Sequence, residues 1–183
     1  MADINEKLRE AARRSLKSII KDLLREYGCD PLSKSKDGMT ELMWAAYHGH
    51  SECVSILLPV SDTLAKDAIG LTALMQAAVH GDEACVSLLL LVSDASAKGA
   101  GGLTALMWAA YGGHEVCVDI LISKSEALAT DCNGMGAGAR ARAGGYESLA
   151  QFIDAYTLAQ SERVAIESTV GPVSPPSRVV PRL

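Results

Sequence analysis

Three stretches of this chain align without a gap at a spacing of 32 residues: DGMTELMWAAYHGHSECVSILL from Asp37, IGLTALMQAAVHGDEACVSLLL from Ile69, and GGLTALMWAAYGGHEVCVDILI from Gly101. The shared columns include Gly38/Gly70/Gly102, Thr40/Thr72/Thr104, Leu42/Leu74/Leu106, Met43/Met75/Met107, Ala45/Ala77/Ala109, Ala46/Ala78/Ala110, Gly49/Gly81/Gly113, Cys53/Cys85/Cys117, Val54/Val86/Val118 and Leu57/Leu89/Leu121. A fourth, decayed copy runs from Asn133 and keeps Gly134, Ala141, Gly145 and Ile153. A unit this short cannot bury its apolar face alone, so copies at fixed spacing must stack into a solenoid.

Each unit reads as a pair of helices. Gly38 and its equivalents suit a tight turn that needs positive φ. Thr40, two residues on, is a good helix N-cap. Leu42, Ala45 and Ala46 form an i, i+3, i+4 stripe whose small members admit a close neighbour. Gly49 closes the helix, and a second helix turns Cys53, Val54, Leu57 and Leu58 inward. Glu52, Asp82, Glu83 and Glu115 at its start oppose the helix dipole. Composition agrees. The chain has 27 Ala but only 4 % aromatic residues, which favours closely packed helices over a sheet.

These residues carry a resemblance. TxLMxAAxxGHxxCVxxLL resembles the ankyrin repeat, whose usual form is a 33-residue TPLHxAA unit of two antiparallel helices and a projecting hairpin. The implied fold class is all-α, an ankyrin-repeat solenoid. The TALM variant is similar to the ankyrin-rich proteins of some protozoa, a few of which carry repeats behind a Nek-like kinase domain. Met43, Met75 and Met107 stand where the family has His, so that residue's hydrogen bonds to the turn are expected to give way to apolar packing. One residue per repeat is missing, after the second helix.

The register divides the chain into an N-terminal capping repeat over 1–36, repeats over 37–68, 69–100 and 101–132, a degenerate C-terminal capping repeat over 133–160, and a tail over 161–183. Residues 3–27 have apolar positions at helical spacing, which fits one continuous helix or a pair; the resemblance implies the pair. Tyr146 to about Gln160 reads as the closing helix. The tail holds four of the six prolines and no apolar period, and reads as disordered. Its PxxP (Pro172, Pro175) and Ser174-Pro175 are weak docking and phosphorylation signals.

Catalytic and metal signatures are missing from the sequence. Cys53, Cys85 and Cys117 share one core position, so they lie about a helix spacing apart, ~10 Å, too far for disulfides. That reads as buried thiols in a reducing, cytoplasmic compartment; cytoskeletal association is compatible with this. Cys29 and Cys132 fall in turns. His48-x-His50 lacks a supporting third ligand, while His50 and His114 match the family's GH position, a structural one. GMGAGARARAGG over 134–145 lacks the lysine of a phosphate-binding loop and fits as repeat decay. No apolar run reaches the ~18 residues of a membrane helix, and MADINEKLRE lacks a signal-peptide core. The expectation is a non-enzyme with no cofactor and no small-molecule substrate.

Ankyrin repeats recognise proteins with hairpin tips and the solvent side of the first helices. Carried over, that face is Met39, Trp44, Tyr47, His48, Ile69, Leu71, Gln76, Val79, His80, Leu103, Trp108 and Tyr111. Both tryptophans fall on it, in i, i+3 pairs with Tyr47 and Tyr111; the alternative is that they pack against the next repeat. The net charge is +3 over 1–36, -9 over 37–132 and +1 over 133–183, which disfavours nucleic acid. The expected role is a protein-interaction adaptor or scaffold, without membrane insertion. The alternative is a regulatory or targeting fragment, or kinase-less relative, of a Nek-like kinase.

Overall fold

The structure, a computed structural model, describes residues 2–26 and 29–169. Among them are ten α-helices and no strand. They run α1 (Ala2–Arg13), α2 (Lys17–Glu26), α3 (Glu41–Tyr47), α4 (Ser51–Leu57), α5 (Ala73–His80), α6 (Glu83–Leu90), α7 (Ala105–Gly112), α8 (Glu115–Ile122), α9 (Ala137–Ala143) and α10 (Glu147–Thr169). The N-terminal segment is a helix pair, broken at Ser15, which sits at φ 58. The odd-numbered helices stack on one another in one row and the even-numbered helices in a second.

The threonine column works as its position predicts. Met43, Met75 and Met107 amides donate to Thr40, Thr72 and Thr104 Oγ1 at 3.3, 3.4 and 3.4 Å. At Met43 the methionine column keeps a polar role that apolar packing alone does not describe. Thr40 N–H donates to Met43 Sδ at 3.5 Å, which completes a reciprocal cap. All three methionines are otherwise buried in the core.

The Ala pairs 45–46, 77–78 and 109–110 are fully buried. They have little side chain to hold helices apart, so the odd row is the more tightly packed of the two. Cys53, Cys85 and Cys117 are buried and free, and Cys29 and Cys132 are free as well. Burial pushes the Cys117 thiol up to about 11 and the Cys85 thiol higher still, so neither is a nucleophile near neutral pH.

Polar bonds stitch each unit to the next. His50 Nε2 lies 2.7 Å from the Arg13 carbonyl, and His114 Nε2 lies 3.0 Å from that of Val79. Lys34, Lys66 and Lys98 each donate to the carbonyl 32 residues on, those of Lys66, Lys98 and Thr130. The shortened loops after the even helices close on turns in which Asp30, Asp62 and Asp94 carboxylates accept the amides of Leu32, Leu64 and Ser96, each at 2.9 Å. The closing helix runs on to Thr169, beyond the end expected near Gln160, so at least residues 161–169 of the expected disordered tail are helical. The PxxP motif and Ser174 lie outside the described residues.

One buried charge had no signal in the repeat pattern. Glu41 occupies the column filled by Ala73, Ala105 and Ala137, and it is fully buried between α1 and α3. Arg9 Nε lies 3.5 Å from Oε1, Ser33 Oγ donates to the same oxygen at 3.2 Å, and Oε2 has no partner. Burial raises this carboxyl from 4.5 to about 7, against the opposing pull of its backbone amide, Arg9 and Ser33.

A carboxyl with a raised folded pKa binds its proton more tightly in the folded state. Stability is therefore greatest below about 4.5 and falls as pH rises towards about 7. Glu41→Gln should remove this dependence. In urea unfolding at pH 5 and pH 7.5, wild type is expected to lose up to about 3 kcal/mol relative to the variant; parallel curves would refute the assignment. Two glycines provide a second comparison. Gly38 and Gly134 sit at φ +74 and +75, but a Cβ at Gly38 would stand 2.7 Å from Ala68 N, whereas at Gly134 nothing lies within 4 Å. Gly134→Ala should cost about 1 kcal/mol from the left-handed backbone alone, and Gly38→Ala about 1–3 kcal/mol more.

Candidate functional site

The exposed side of the odd helices and the hairpin tips before them carry the residues expected to recognise a partner. Their fates differ. Ile69 (62 % exposed), Tyr47 (38 %) and Tyr111 (48 %) face solvent, as do His48 and His80, while Val79, Leu103, Trp44 and Trp108 are half-buried. Met39, Leu71 and Gln76 are buried, which corrects their assignment to an accessible surface. Gly38 and Gly70 turn the chain at φ +74 and +80; Ile69, before its glycine, stays exposed, whereas Met39 and Leu71, just after theirs, enter the core.

Gln76 is withdrawn for a polar reason. Its Nε2 donates to Asp67 Oδ2 at 2.7 Å, while Asp67 Oδ1 accepts the Ile69 and Leu71 amides at 3.0 and 2.8 Å. Helix and hairpin are thus tied by one carboxylate. The same tie recurs two repeats later, where Asp131 accepts the Asn133 and Met135 amides and Arg140. Burial alone would raise the Asp131 carboxyl, but the Met135 amide and Arg140 outweigh it and hold it below the usual value. Arg140, at the Trp44/Gln76/Trp108 position of the register, is a surface-lining residue that the sequence reading did not pick out.

Rings gather where no such tie exists. Trp44 and Tyr47 meet edge-to-face with centroids 5.9 Å apart, as their i, i+3 spacing predicts. Tyr47 reaches the next repeat at His80, 4.2 Å away, and His48 stacks on Trp44 at 6.0 Å and on His50 at 5.8 Å. From the preceding pair, the Arg13 guanidinium lies over the Trp44 ring at 3.8 Å, a cation–π geometry. Neither Arg13 nor this bridge to α1 was legible in the sequence, because the contact is made across repeats by a residue outside the matched columns.

Trp108 and Tyr111 form a second patch. With Leu103 and Arg140 they line a shallow cavity of about 260 Å³. Both tryptophans pack partly against the core, and the indole N–H groups of both lack an acceptor among the described residues. The face thus offers two ring patches, on α3 and α7, separated by the polar Gln76 site on α5.

The His50 Nε2 is engaged by the Arg13 carbonyl. Among the described residues no group of three His, Cys, Asp or Glu side chains is placed to hold a metal ion, and no helix is long and apolar enough to cross a membrane. The glycine-rich 134–145 stretch contains α9, in which Gly138 admits Asp154 and Gly144 admits the Tyr111 carbonyl.

Comparison with curated proteins finds no match. Comparison with family profiles matches residues 8–99 to ankyrin repeats (3 copies) and residues 101–133 to a further ankyrin repeat. With two thirds of the chain so matched and helix pairs stacked in the same register, the chain belongs to the ankyrin-repeat family, whose members are protein–protein interaction modules.

Proposed function

We propose that this protein is an adaptor or scaffold that docks a peptide or loop of a partner against the exposed face of its odd-numbered helices. The observation that carries the reading is the placement of the aromatic residues. Both tryptophans and Tyr47 and Tyr111 lie on this one face, while Ala, Leu, Val, Met and Cys fill the core between the rows. Half-buried rings on a rigid scaffold are the residues that dominate interface energetics, because they offer large apolar area at little entropic cost.

The spacing of the two ring patches limits the ligand. They lie two repeats apart, roughly 20 Å at ~10 Å per packed helix. An extended segment of about six residues spans that distance, so a ligand with an apolar anchor near each end reaches both ring patches.

The test replaces exposed rings and leaves the core alone. Tyr47→Ala, Ile69→Ala and Tyr111→Ala combined should weaken partner capture roughly tenfold or more, with helical circular dichroism and urea midpoint close to wild type. Leu91→Ser and Val116→Ser, at exposed positions on the even helices and the turn beyond α6, should leave capture unchanged. Capture lost with the second set and kept with the first would move the docking surface to the opposite face.

A further inference from the structure

The first ring patch carries a cation within an acidic repeat array. Residues 37–132 carry a net charge of -9, yet the groups gathered around Trp44 are one guanidinium and several hydrogen-bonding rings. Arg13 comes from α1, Tyr47 and His48 from the end of α3 and the turn after it, His50 from the start of α4, and His80 from the end of α5. Desolvation holds His48 below its usual pKa, and the nearby His50, Arg13 and His80 push the same way.

Two carboxylates border the cluster, and both are committed elsewhere. Glu10 lies 3.8 Å from Arg13 Nη1 but only 2.5 Å from Arg14 Nε. Asp82 sits over Gly49 and accepts the Cys85 amide at 2.7 Å, which caps α6. The Arg13 guanidinium lies over the indole, shares its one ion-pair partner, Glu10, with Arg14, and has no acceptor for its Nε among the described residues. Such a site has an aromatic floor for an apolar group and a cationic edge for an anion beside it.

We infer that the cluster of Arg13, Trp44, Tyr47, His48 and His80 receives a carboxylate, carried by an Asp or Glu next to an apolar residue of the partner segment. This rests on the docking face proposed above and specifies the chemistry of one of its two ring patches. One carboxylate matches the single fixed guanidinium charge, and the acidic remainder of the array repels ligands whose acidity is not confined to this spot. A charge-assisted bond to Arg13 then adds to ring contact.

The experiment selects short random peptides, displayed on phage, against the full chain, and then measures synthetic copies of the winners by calorimetry. Enriched peptides should pair Asp or Glu with an adjacent aliphatic or aromatic residue. Converting that acid to its amide should weaken binding roughly tenfold or more. The penalty should largely vanish on the Arg13→Met and His80→Gln variants. Because the decisive change is made in the peptide, the result does not depend on any variant folding. Peptides that require Tyr47 yet tolerate the acid-to-amide change would overturn the carboxylate and leave the docking face intact. Peptides indifferent to Tyr47→Ala, Tyr111→Ala and the acid-to-amide change would overturn both.

Discussion

Everything in this molecule depends on the close approach of the odd-numbered helices across paired alanines. Seven or eight residues of isolated helix are too short to be stable in water, and α3, α5, α7 and α9 are no longer than that. Each persists only because its neighbours on both sides remove its apolar stripe from water. The Ala columns make that contact close, and the inward Leu, Met, Val and Cys columns fill the space between the rows. Stability is therefore held between units more than within them.

The polar interactions follow the same logic. The histidines at 50 and 114 spend a ring nitrogen on a carbonyl of the preceding unit, and Lys34, Lys66 and Lys98 reach forward to the next. Hairpin backbones join as well, through Ala68 N–H to Asp37 O at 2.9 Å and Cys132 N–H to Gly101 O at 2.8 Å. The glycines beneath them are required by this proximity as much as by backbone angle, since a Cβ at Gly38 would strike the Ala68 amide. At the N-terminal edge the pattern changes. Glu41 replaces the expected Ala, and Arg9 of the capping pair answers it.

Much of this could be read from residues alone, for an identifiable reason. Thr40 and Gly49 each act within one or two turns of themselves, so their columns report local geometry directly. What escaped the sequence was decided across repeats. Leu71 and Ile69 differ in burial because the left-handed Gly70 turns the chain between them, in a hairpin too short to show a period. Gln76 looks like a surface residue until Asp67 is placed beside it, nine positions earlier. Arg13 becomes part of the ring cluster only once α1 is known to end over Trp44. The helical reach of α10 to Thr169 was hidden because residues 161–169 lack an apolar stripe and merge, in composition, with the proline-rich segment that follows.

The Asp67 and Asp131 ties also show how recognition and stability compete for one helix position. The hairpin column reads Ser35, Asp67, Gly99, Asp131, and the helix column facing it reads Trp44, Gln76, Trp108, Arg140. Where the hairpin supplies a carboxylate, the helix answers with a donor, and in the second repeat that donor is drawn fully out of reach. Where it supplies Ser or Gly, no carboxylate demands a partner and a tryptophan stands instead, its ring half exposed and its N–H unused. Ser35 still closes its own hairpin by accepting the Met39 amide at 3.1 Å, and Gly99 approaches the Gly70 carbonyl too closely to admit any side chain. Those two hairpins hold their shape without help from the helix position. That freedom is what lets α3 and α7, and not α5, present an aromatic anchor, and it sets the two-repeat spacing of the surface on which a partner is proposed to dock.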